Sequence, residues 1–420
     1  MTARRVNDRP NIILIMADDL GYEALGCYGG TSYRTPVLDG MAESGIRFVH
    51  GYAQPLCTPT RVQLMTGKYN FRNWKAFGVM DPDEKTIGHY MTDAGYKTCI
   101  SGKWQLYSYN PSDYEPEWRG KGKRPEQAGF DEYCLWHTEH TEEKGSRYAD
   151  PKVQVNGKYL EDTEGKYGPD IYVDYINDFM ERNQSDPFFV YYPMALTHPP
   201  YQPTPDSEDW AVDRHRTDTK YFKDMVEYHD KVIGRILNKV DELGLSENTL
   251  IIYYGDNGTT RNITSYMNGR AVQGGKGYST DAGTRVPLIV KWAGVSPKGV
   301  VLEDLVDASD FLPTILEAAG APLPKDEVID GRSFLPQIRG EKGCPREWVF
   351  FHHDPLPGHG KDGYHLQRWA QDKRWKLYDD GRFYDVVNDV LEENPLSASQ
   401  GGPEADAARV RLQKILHEMK

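Results

Sequence analysis

The stretch Asn11-Ile12-Ile13-Leu14-Ile15-Met16 is a nearly continuous apolar run. Such a run is typical of a strand that is buried on both faces of a parallel sheet, because a strand with one wet face alternates apolar and polar residues. Similar runs recur at residues 188–192, 250–254 and 288–290. Helical patterns occupy residues 86–94, 171–182 and 221–243. This alternation predicts an α/β fold with a mostly parallel central sheet and helices on both faces.

Polar residues follow three of these predicted strands directly. Asp18-Asp19 follows the first strand, His198 follows residues 188–192, and Asp256-Asn257 follows residues 250–254. Ligands of α/β sheets collect beyond the carboxyl ends of the strands, so we expect the three groups to meet at one sheet edge. Carboxylate and amide oxygens suit Ca²⁺ or Mg²⁺. Without a cation, three carboxylates would repel one another and take up protons.

The pattern of predicted secondary structure changes towards the C-terminus of the chain. A helix predicted at residues 307–319 ends in Gly320 and a proline-containing stretch. Short strands are then predicted at residues 348–352, 374–378 and 382–386, and a helix at residues 404–417. We therefore expect a catalytic α/β domain over residues 1–343 and a smaller α+β subdomain, an antiparallel sheet plus one helix, over residues 344–420.

Composition limits the partners of the 420-residue chain. Its formal net charge is −13 and its pI about 5.5, which argues against binding to nucleic acid or to an anionic membrane. The apolar run at residues 12–16 is too short for a signal peptide and ends in Asp18-Asp19. On this sequence we expect a cytoplasmic protein, or a periplasmic or secreted one if a leader was trimmed; the oligomeric state is left open.

The segment Cys57-Thr58-Pro59-Thr60-Arg61 has the pattern C-x-P-x-R. Residues 58–66 resemble a helix start with proline in the first turn, so residue 57 is expected at a helix N-terminus, where N–H groups and the dipole favour an anion. Arg61 lies one turn further on the same face. His198, an imidazole that titrates near neutral pH, is the candidate general acid.

The order of these motifs resembles that of the type I sulfatases of the alkaline phosphatase-like superfamily. The resemblance rests on Asp18-Asp19, the Cys57 motif, Gly102-Lys103-Trp104, Thr197-His198-Pro199, Asp256-Asn257-Gly258 and Lys276. It implies that a formylglycine-generating enzyme oxidises Cys57 to Cα-formylglycine. It also implies a metal site, with Ca²⁺ favoured over Mg²⁺, whose ligands are Asp18, Asp19, residue 57, Asp256 and Asn257.

The resemblance further implies a role for each remaining motif residue. Arg61 would stabilise the formylglycine hydrate, and Lys103 and Lys276 would clamp the sulfate as its oxygens gain charge. Asp256 would help deprotonate the attacking hydroxyl, and His198 would protonate the departing alcohol. The covalent sulfo-intermediate would then collapse to sulfate and aldehyde.

Gln105 departs from the family pattern. Many members carry histidine two residues after the first clamp lysine, and that histidine helps to eliminate sulfate, whereas an amide cannot take the proton. Another base or a water relay replaces it, or elimination is slow, or the chain is a weakened or inactive relative. We favour the first of these, because every other motif is present.

The sequence therefore predicts a sulfuric ester hydrolase whose substrate is a sulfated small molecule or, by family analogy, a sulfated carbohydrate. Two alternatives stay open: a phosphonate monoester or phosphodiester hydrolase of the same superfamily, and a non-catalytic relative that binds sulfated glycans. Residues 70–74, 352–354 and 368–369 are candidates for the rim of the substrate pocket.

Overall fold

A computed structural model of the chain describes residues 9–398 and 400–419. Its strands are β1 (Asn11–Ala17), β2 (Ile46–Tyr52), β3 (Lys97–Lys103), β4 (Glu132–Trp136), β5 (Gln154–Val155), β6 (Lys158–Tyr159), β7 (Phe188–Pro193), β8 (Thr249–Gly255), β9 (Thr264–Met267), β10 (Arg270–Gln273), β11 (Arg285–Trp292), β12 (Val300–Asp307), β13 (Val349–His353), β14 (Gln367–Gln371), β15 (Trp375–Tyr378) and β16 (Phe383–Asp385). Its α-helices are α1 (Pro36–Glu43), α2 (Cys57–Thr66), α3 (Asn70–Asn73), α4 (Ile87–Asp93), α5 (Gly168–Arg182), α6 (Trp210–Asp213), α7 (Tyr221–Glu242), α8 (Asp281–Thr284), α9 (Phe311–Ala318), α10 (Leu335–Ile338) and α11 (Gly402–Glu418).

The large sheet has the strand order β12-β2-β11-β8-β1-β7-β3-β4-β5-β6. Strand β1 lies near its centre and pairs in parallel with both β7 and β8. Successive β1 side chains enter two different cores: Ile13 and Ile15 pack against one face, and Ile12 and Leu14 against the other. This two-sided burial is why the run contains no polar alternation, and the predicted mostly parallel α/β fold is confirmed.

Helices cover both faces of the sheet. Helices α1, α5 and α7 bury their apolar side chains in the core that contains Ile13, while α2, α4 and α9 belong to the core that contains Ile12. Strand β11, which contains the predicted run at residues 288–290, pairs antiparallel with β2 and with β8. Ile289 enters the core that contains Ile13, and Leu288 and Val290 enter the core that contains Ile12, so the strand is buried on both faces whatever its direction and its apolar run does not reveal its orientation.

The C-terminal part forms a second, four-stranded antiparallel sheet of order β13-β14-β15-β16, against which α11 packs. The predicted antiparallel sheet plus helix is confirmed, with β14 as an additional strand. Gly381 has a φ of 94° in the turn between β15 and β16, a conformation that glycine adopts without strain. The domain boundary near residue 343 stays a prediction. In the described part of the chain, no helix combines the length and the apolar character needed to cross a membrane.

Candidate active site

The loops after β1 and β8 are bound to each other beyond the carboxyl edge of the sheet. The backbone N–H of Asp19 donates to Oδ1 of Asp256 at 3.1 Å, and the backbone N–H of Asp256 donates to the carbonyl of Ala17 at 3.1 Å. The side-chain amide of Asn257 donates to Oδ1 of Asp19 at 2.9 Å. Asp18, Asp19, Asp256 and Asn257 are all buried. The sheet edge therefore brings both predicted acidic pairs together.

The donor atoms of this cluster fit a hard divalent cation. Ligand atoms of Asp18, Cys57 and Asp256 lie within 4.8 Å of one another. Oδ1 of Asp18 and Oδ1 of Asn257 are buried and make no hydrogen bond within the described residues. Burial and the charges of Asp18, Cys57 and Asp19 hold the pKa of Asp256 well above its usual value. A cation at this cluster would satisfy the unpaired oxygens and offset the repulsion.

Cys57 is the first residue of α2, as the sequence predicts, and the structure buries it. Leu56 occupies the N-cap position with extended backbone and offers no side-chain cap, so the helix N-terminus is open to an anion at residue 57. The ammonium Nζ of Lys103 lies 3.6 Å from Sγ of Cys57. A negative group formed or bound at residue 57 would therefore meet a cation and a helix N-terminus together.

Arg61 is directed to the end of β3. Its Nη1 donates to the carbonyl of Trp104 at 2.8 Å, and its Nη2 donates to the carbonyl of Lys103. The guanidinium is almost completely buried. It thereby positions the segment that carries Lys103, and its expected action on a hydrate at residue 57 stays a prediction.

The two expected clamp lysines each contact one of the paired acids. Nζ of Lys103 lies 2.8 Å from Oδ2 of Asp18, and Nζ of Lys276 lies 2.5 Å from Oδ1 of Asp19. Burial opposes the charge on Lys276, but Asp19, Cys57 and Asp18 together raise its pKa, so this side chain stays a cation. Lys276, which the sequence placed only by resemblance, thus belongs to the same cluster.

His198 presents its Nε2 to the cluster. Its Nδ1–H donates to the carbonyl of Pro199 at 2.7 Å, and its Nε2 lies 3.8 Å from Oδ2 of Asp19. Burial, followed by the charges of Lys276, Arg147 and Lys103, holds its pKa well below the usual value in the protein without substrate. An anionic ester bound beside Nε2 would oppose these cations and favour the protonated imidazole that a general acid requires.

Gln105 lies just beyond the end of β3, in left-handed backbone with a φ of 51°. Its backbone N–H donates to the carbonyl of His137 at 3.1 Å. The imidazole of His137 is buried, and neither ring nitrogen has a hydrogen-bond partner in the described part of the chain. Burial and the charges of Lys144, Arg147 and Lys103 hold its pKa well below the usual value, so the ring is neutral and resists protonation.

Sequence reasoning missed His137, Arg147, Tyr109 and Lys361. His137 could have been found from the sequence, because it follows a buried strand as Asp18 and His198 do. That strand, β4, is not among those predicted from the sequence. Nη1 of Arg147 lies 3.8 Å from Oδ2 of Asp18. Tyr109 packs against the small core formed by Leu56, Cys57 and Phe77. The last three residues lie in loops, where no periodic pattern indicates their direction.

The predicted pocket rim is correct only in part. Trp74, from residues 70–74, packs against the core that contains Cys57. Trp369 is fully buried and stacks on Phe351 inside the C-terminal sheet, so residues 368–369 do not form the rim as expected. The loop between β13 and β14 reaches the site instead, and its Tyr364 packs on Gly277, the neighbour of Lys276.

Comparisons with known proteins agree with this geometry. Residues 10–321 match the family Sulfatase, and residues 275–419 match the family N-sulphoglucosamine sulphohydrolase, C-terminal. Human arylsulfatase A is 31% identical over 370 residues, which cover 82% of this chain and 70% of that protein. The N-acetylgalactosamine-6-sulfatase of Canis lupus familiaris is 30% identical over 89% of this chain and 74% of that protein.

Solved structures share the fold over nearly the whole chain. Ps i-CgsB in complex with k-i-k-neocarrahexaose has a TM-score of 0.78 and 25% identity, covering 98% of this chain and 92% of that chain. The phosphonate monoester hydrolase of Agrobacterium radiobacter has a TM-score of 0.70 and 19% identity over 98% and 95% of the two chains, which shows the fold alone. The chain belongs to the sulfatase family and has its alkaline phosphatase-like fold; sulfatases are enzymes that hydrolyse sulfate esters.

Proposed function

We propose that the protein hydrolyses sulfate esters of saccharides at residue 57, after oxidation of Cys57 to formylglycine and with a divalent cation, Ca²⁺ before Mg²⁺, at the acidic cluster. The observation that carries the proposal is the position of Cys57 at the start of α2, 3.6 Å from the ammonium of Lys103 and within 4.8 Å of two carboxylates. Saccharide substrates are proposed because the similar proteins include an N-acetylgalactosamine-6-sulfatase and a complex with a neocarrahexaose.

Once converted, residue 57 supplies a hydrated aldehyde whose hydroxyl attacks sulfur as the bond from sulfur to the alcohol oxygen breaks. The second hydroxyl then loses its proton to water as sulfate leaves and the aldehyde re-forms. Asp18, Asp19, Asp256, Asn257 and residue 57 would hold the cation, which would supply positive charge at the sulfate. Side chains of this protein carry out the remaining steps. Lys103 and Lys276 bind the sulfate oxygens that gain charge as the ester bond breaks.

Proton transfers are assigned to Asp256 and His198. Asp256 lies within 4.8 Å of residue 57, so its carboxylate is in position to take the proton of the attacking hydroxyl. His198 delivers a proton from Nε2 to the leaving oxygen, while the bond from Nδ1 to Pro199 keeps the ring in one orientation. Arg61 holds the carbonyls of Lys103 and Trp104 and thereby the position of the first clamp.

The test begins with mass spectrometry of the peptide that contains residue 57, from protein co-expressed with a formylglycine-generating enzyme. Conversion of the thiol to an aldehyde lowers the mass by about 18 Da. Converted protein is then assayed for sulfate release with a matched aryl sulfate and aryl phosphodiester, with Cys57→Ser as the control. We expect faster turnover of the sulfate and none in the control. Faster turnover of the diester would establish the phosphonate or phosphodiester alternative, and saccharide binding without release by converted protein would establish the non-catalytic one.

A further inference from the structure

Two buried cations outside the active site, Arg346 and Lys376, are neutralised by carboxylates, whereas the buried ammonium of Lys123 donates to the backbone carbonyls of Pro82 and Gln127. Arg346 binds Asp310 through several hydrogen bonds, and Lys376 lies 2.7 Å from Glu392. A buried cation with an unpaired donor is costly, so its presence beside the active site points to a ligand that supplies the missing acceptor and negative charge. Two cations next to the active site, the buried Arg147 and the partly buried Lys361, have no carboxylate within hydrogen-bond distance in the described part of the chain.

Arg147 is nine-tenths buried and has one unused donor. Its guanidinium stacks on the ring of Trp136 at 4.0 Å, and its Nη1 has no hydrogen-bond partner within the described residues. The carboxylate Oδ2 of Asp18 is 3.8 Å from Nη1, beyond hydrogen-bond distance, and this oxygen is already bound by Lys103 at 2.8 Å. Arg147 therefore points a free N–H group into the site.

Lys361 approaches the site from the loop between β13 and β14. Its Nζ lies 4.4 Å from the centre of the Phe77 ring and 6.0 Å from that of Tyr109, and Phe77 packs against Cys57. Within the described residues, no carboxylate forms an ion pair with this ammonium. Burial lowers the pKa of Lys361, and the charge of Cys57 opposes this shift.

Tyr109 lies between the two cations. Its ring centre is 6.0 Å from Nζ of Lys361 and 6.4 Å from the ring of His137. His137 in turn packs on Trp136, the ring on which Arg147 stacks. The ring of Tyr109 also contacts Phe77 beneath Lys361, at a centroid distance of 4.9 Å. Burial raises its pKa, and among the charges that act on its hydroxyl are Cys57, Lys276 and Arg147. An aromatic ring with cations on its borders is a suitable surface for a sugar that bears acidic groups.

The charges of the site indicate what the surface formed by Arg147, Lys361 and Tyr109 would bind. One sulfate ester group carries a single negative charge, and Lys103 and Lys276 already lie beside the acidic cluster to bind it. We propose that Arg147, Lys361 and Tyr109 form a second anion-binding subsite, and that the substrate is a saccharide with a further sulfate or carboxylate group near the ester that is cleaved. The role of this subsite in catalysis rests on the proposed hydrolysis of sulfate esters, but the binding of a second anionic group can be measured without turnover.

The binding experiment uses Cys57→Ser protein, so that no turnover occurs, loaded with Ca²⁺. Calorimetry compares N-acetylgalactosamine 4,6-disulfate with N-acetylgalactosamine 6-sulfate, and glucosamine N,6-disulfate with N-acetylglucosamine 6-sulfate. We expect about tenfold tighter binding of the doubly sulfated member of at least one pair, the size of one charged hydrogen bond. Equal affinities within both pairs, or no binding of any of these sugars, would overturn the subsite.

Variants assign the preference to the named residues. Lys361→Met and Arg147→Gln should each reduce it at least threefold, while Lys298→Met, at an exposed lysine, should leave it unchanged. If Arg147→Gln fails to fold, Lys361→Met, at a partly exposed position, still tests the subsite. A preference that survives Lys361→Met would contradict the assignment. Binding preference in a protein that, after conversion of Cys57, releases no sulfate would support the subsite and refute the proposed function; release without preference would refute only the subsite.

Discussion

At the scale of single residues, Lys103 and Gln105 stand two positions apart but differ in what their side chains can do. Lys103 touches both Asp18 and Cys57, so Lys103→Ala should lower kcat by about 10²–10³, the usual cost of removing one transition-state contact. Gln105→Ala should lower kcat by less than about tenfold, because an amide moves no proton at neutral pH. The measurement is kcat on an aryl sulfate, in preparations whose Cys57 conversion is matched by mass spectrometry. Comparable losses in both variants would show that Gln105 acts in the rate-limiting step.

The acidic cluster makes a second prediction at this scale, independent of activity. A ligand that binds only the folded state at 100 times its Kd stabilises it by about 2.7 kcal/mol. Adding Ca²⁺ after chelation should therefore raise the Tm of the wild type. Asp256→Asn should abolish most of this rise, since it removes a negative charge from the cluster. Asp406→Asn, at an exposed position of α11, is the matched control and should keep the rise. A full Ca²⁺ response in Asp256→Asn would show that the cation binds elsewhere.

At the scale of elements, Arg346 joins α9 to the chain that enters the C-terminal sheet. Its guanidinium binds Asp310, beside the start of α9, and donates to the hydroxyl of Tyr69 at 3.0 Å. Arg346→Met would leave the buried carboxylate of Asp310 without its partner, and we expect a loss of about 3–5 kcal/mol in the free energy of unfolding. Arg382→Met removes an exposed ion pair with Asp380 and should cost less than about 1 kcal/mol. Denaturant unfolding of both variants measures the contrast, and similar losses would contradict the role of Arg346.

The elements also show which parts of the fold a sequence pattern can predict. Strands β1, β7 and β8 were found because their runs are apolar on both faces, and the residues after them led to most of the acidic cluster. Strand β3 was missed because it buries polar side chains, such as Ser101, whose hydroxyl donates to the carbonyl of Tyr172 at 3.0 Å. Such burial depends on a partner distant in sequence, which no local pattern displays. For the same reason the roles of loop residues such as Arg147 emerge only from the folded chain.

At the scale of the whole molecule, a negative protein surrounds a site rich in cations. The chain has a formal net charge of −13, yet Lys103, Lys276, Arg147 and Lys361 all lie around Cys57. These four cations offset the carboxylates of Asp18, Asp19 and Asp256 at the site, while the net negative charge of the rest of the chain repels anions. This distribution favours compact anionic substrates that enter the pocket over long polyanions that would lie along the surface.

Buried neutral histidines should make the whole fold sensitive to acid. Burial lowers the pKa of His229 to about 3, whereas an unfolded histidine titrates near 6.5. Below pH 6.5 the unfolded chain therefore binds a proton that the native state does not, and stability falls with decreasing pH until about pH 3. Burial likewise lowers the pKa of His353 to about 3. Asp230 and Asp307, whose pKa values burial raises to about 6, oppose this trend below pH 6.

A comparison of a His229 variant with the wild type isolates the contribution of this histidine to the change in stability between pH 6.5 and pH 5. For His229 the linkage amounts to about 1.6 kcal/mol over this interval. His229→Phe loses a weak 3.5 Å contact with the hydroxyl of Tyr253, so its absolute stability differs from the wild type, but its pH dependence should be smaller by that amount. His417→Phe, at an exposed position, should keep the wild-type dependence. Urea unfolding at several pH values gives the slopes. Parallel slopes for the wild type and His229→Phe would show that His229 is protonated equally in the folded and unfolded states, contrary to its burial.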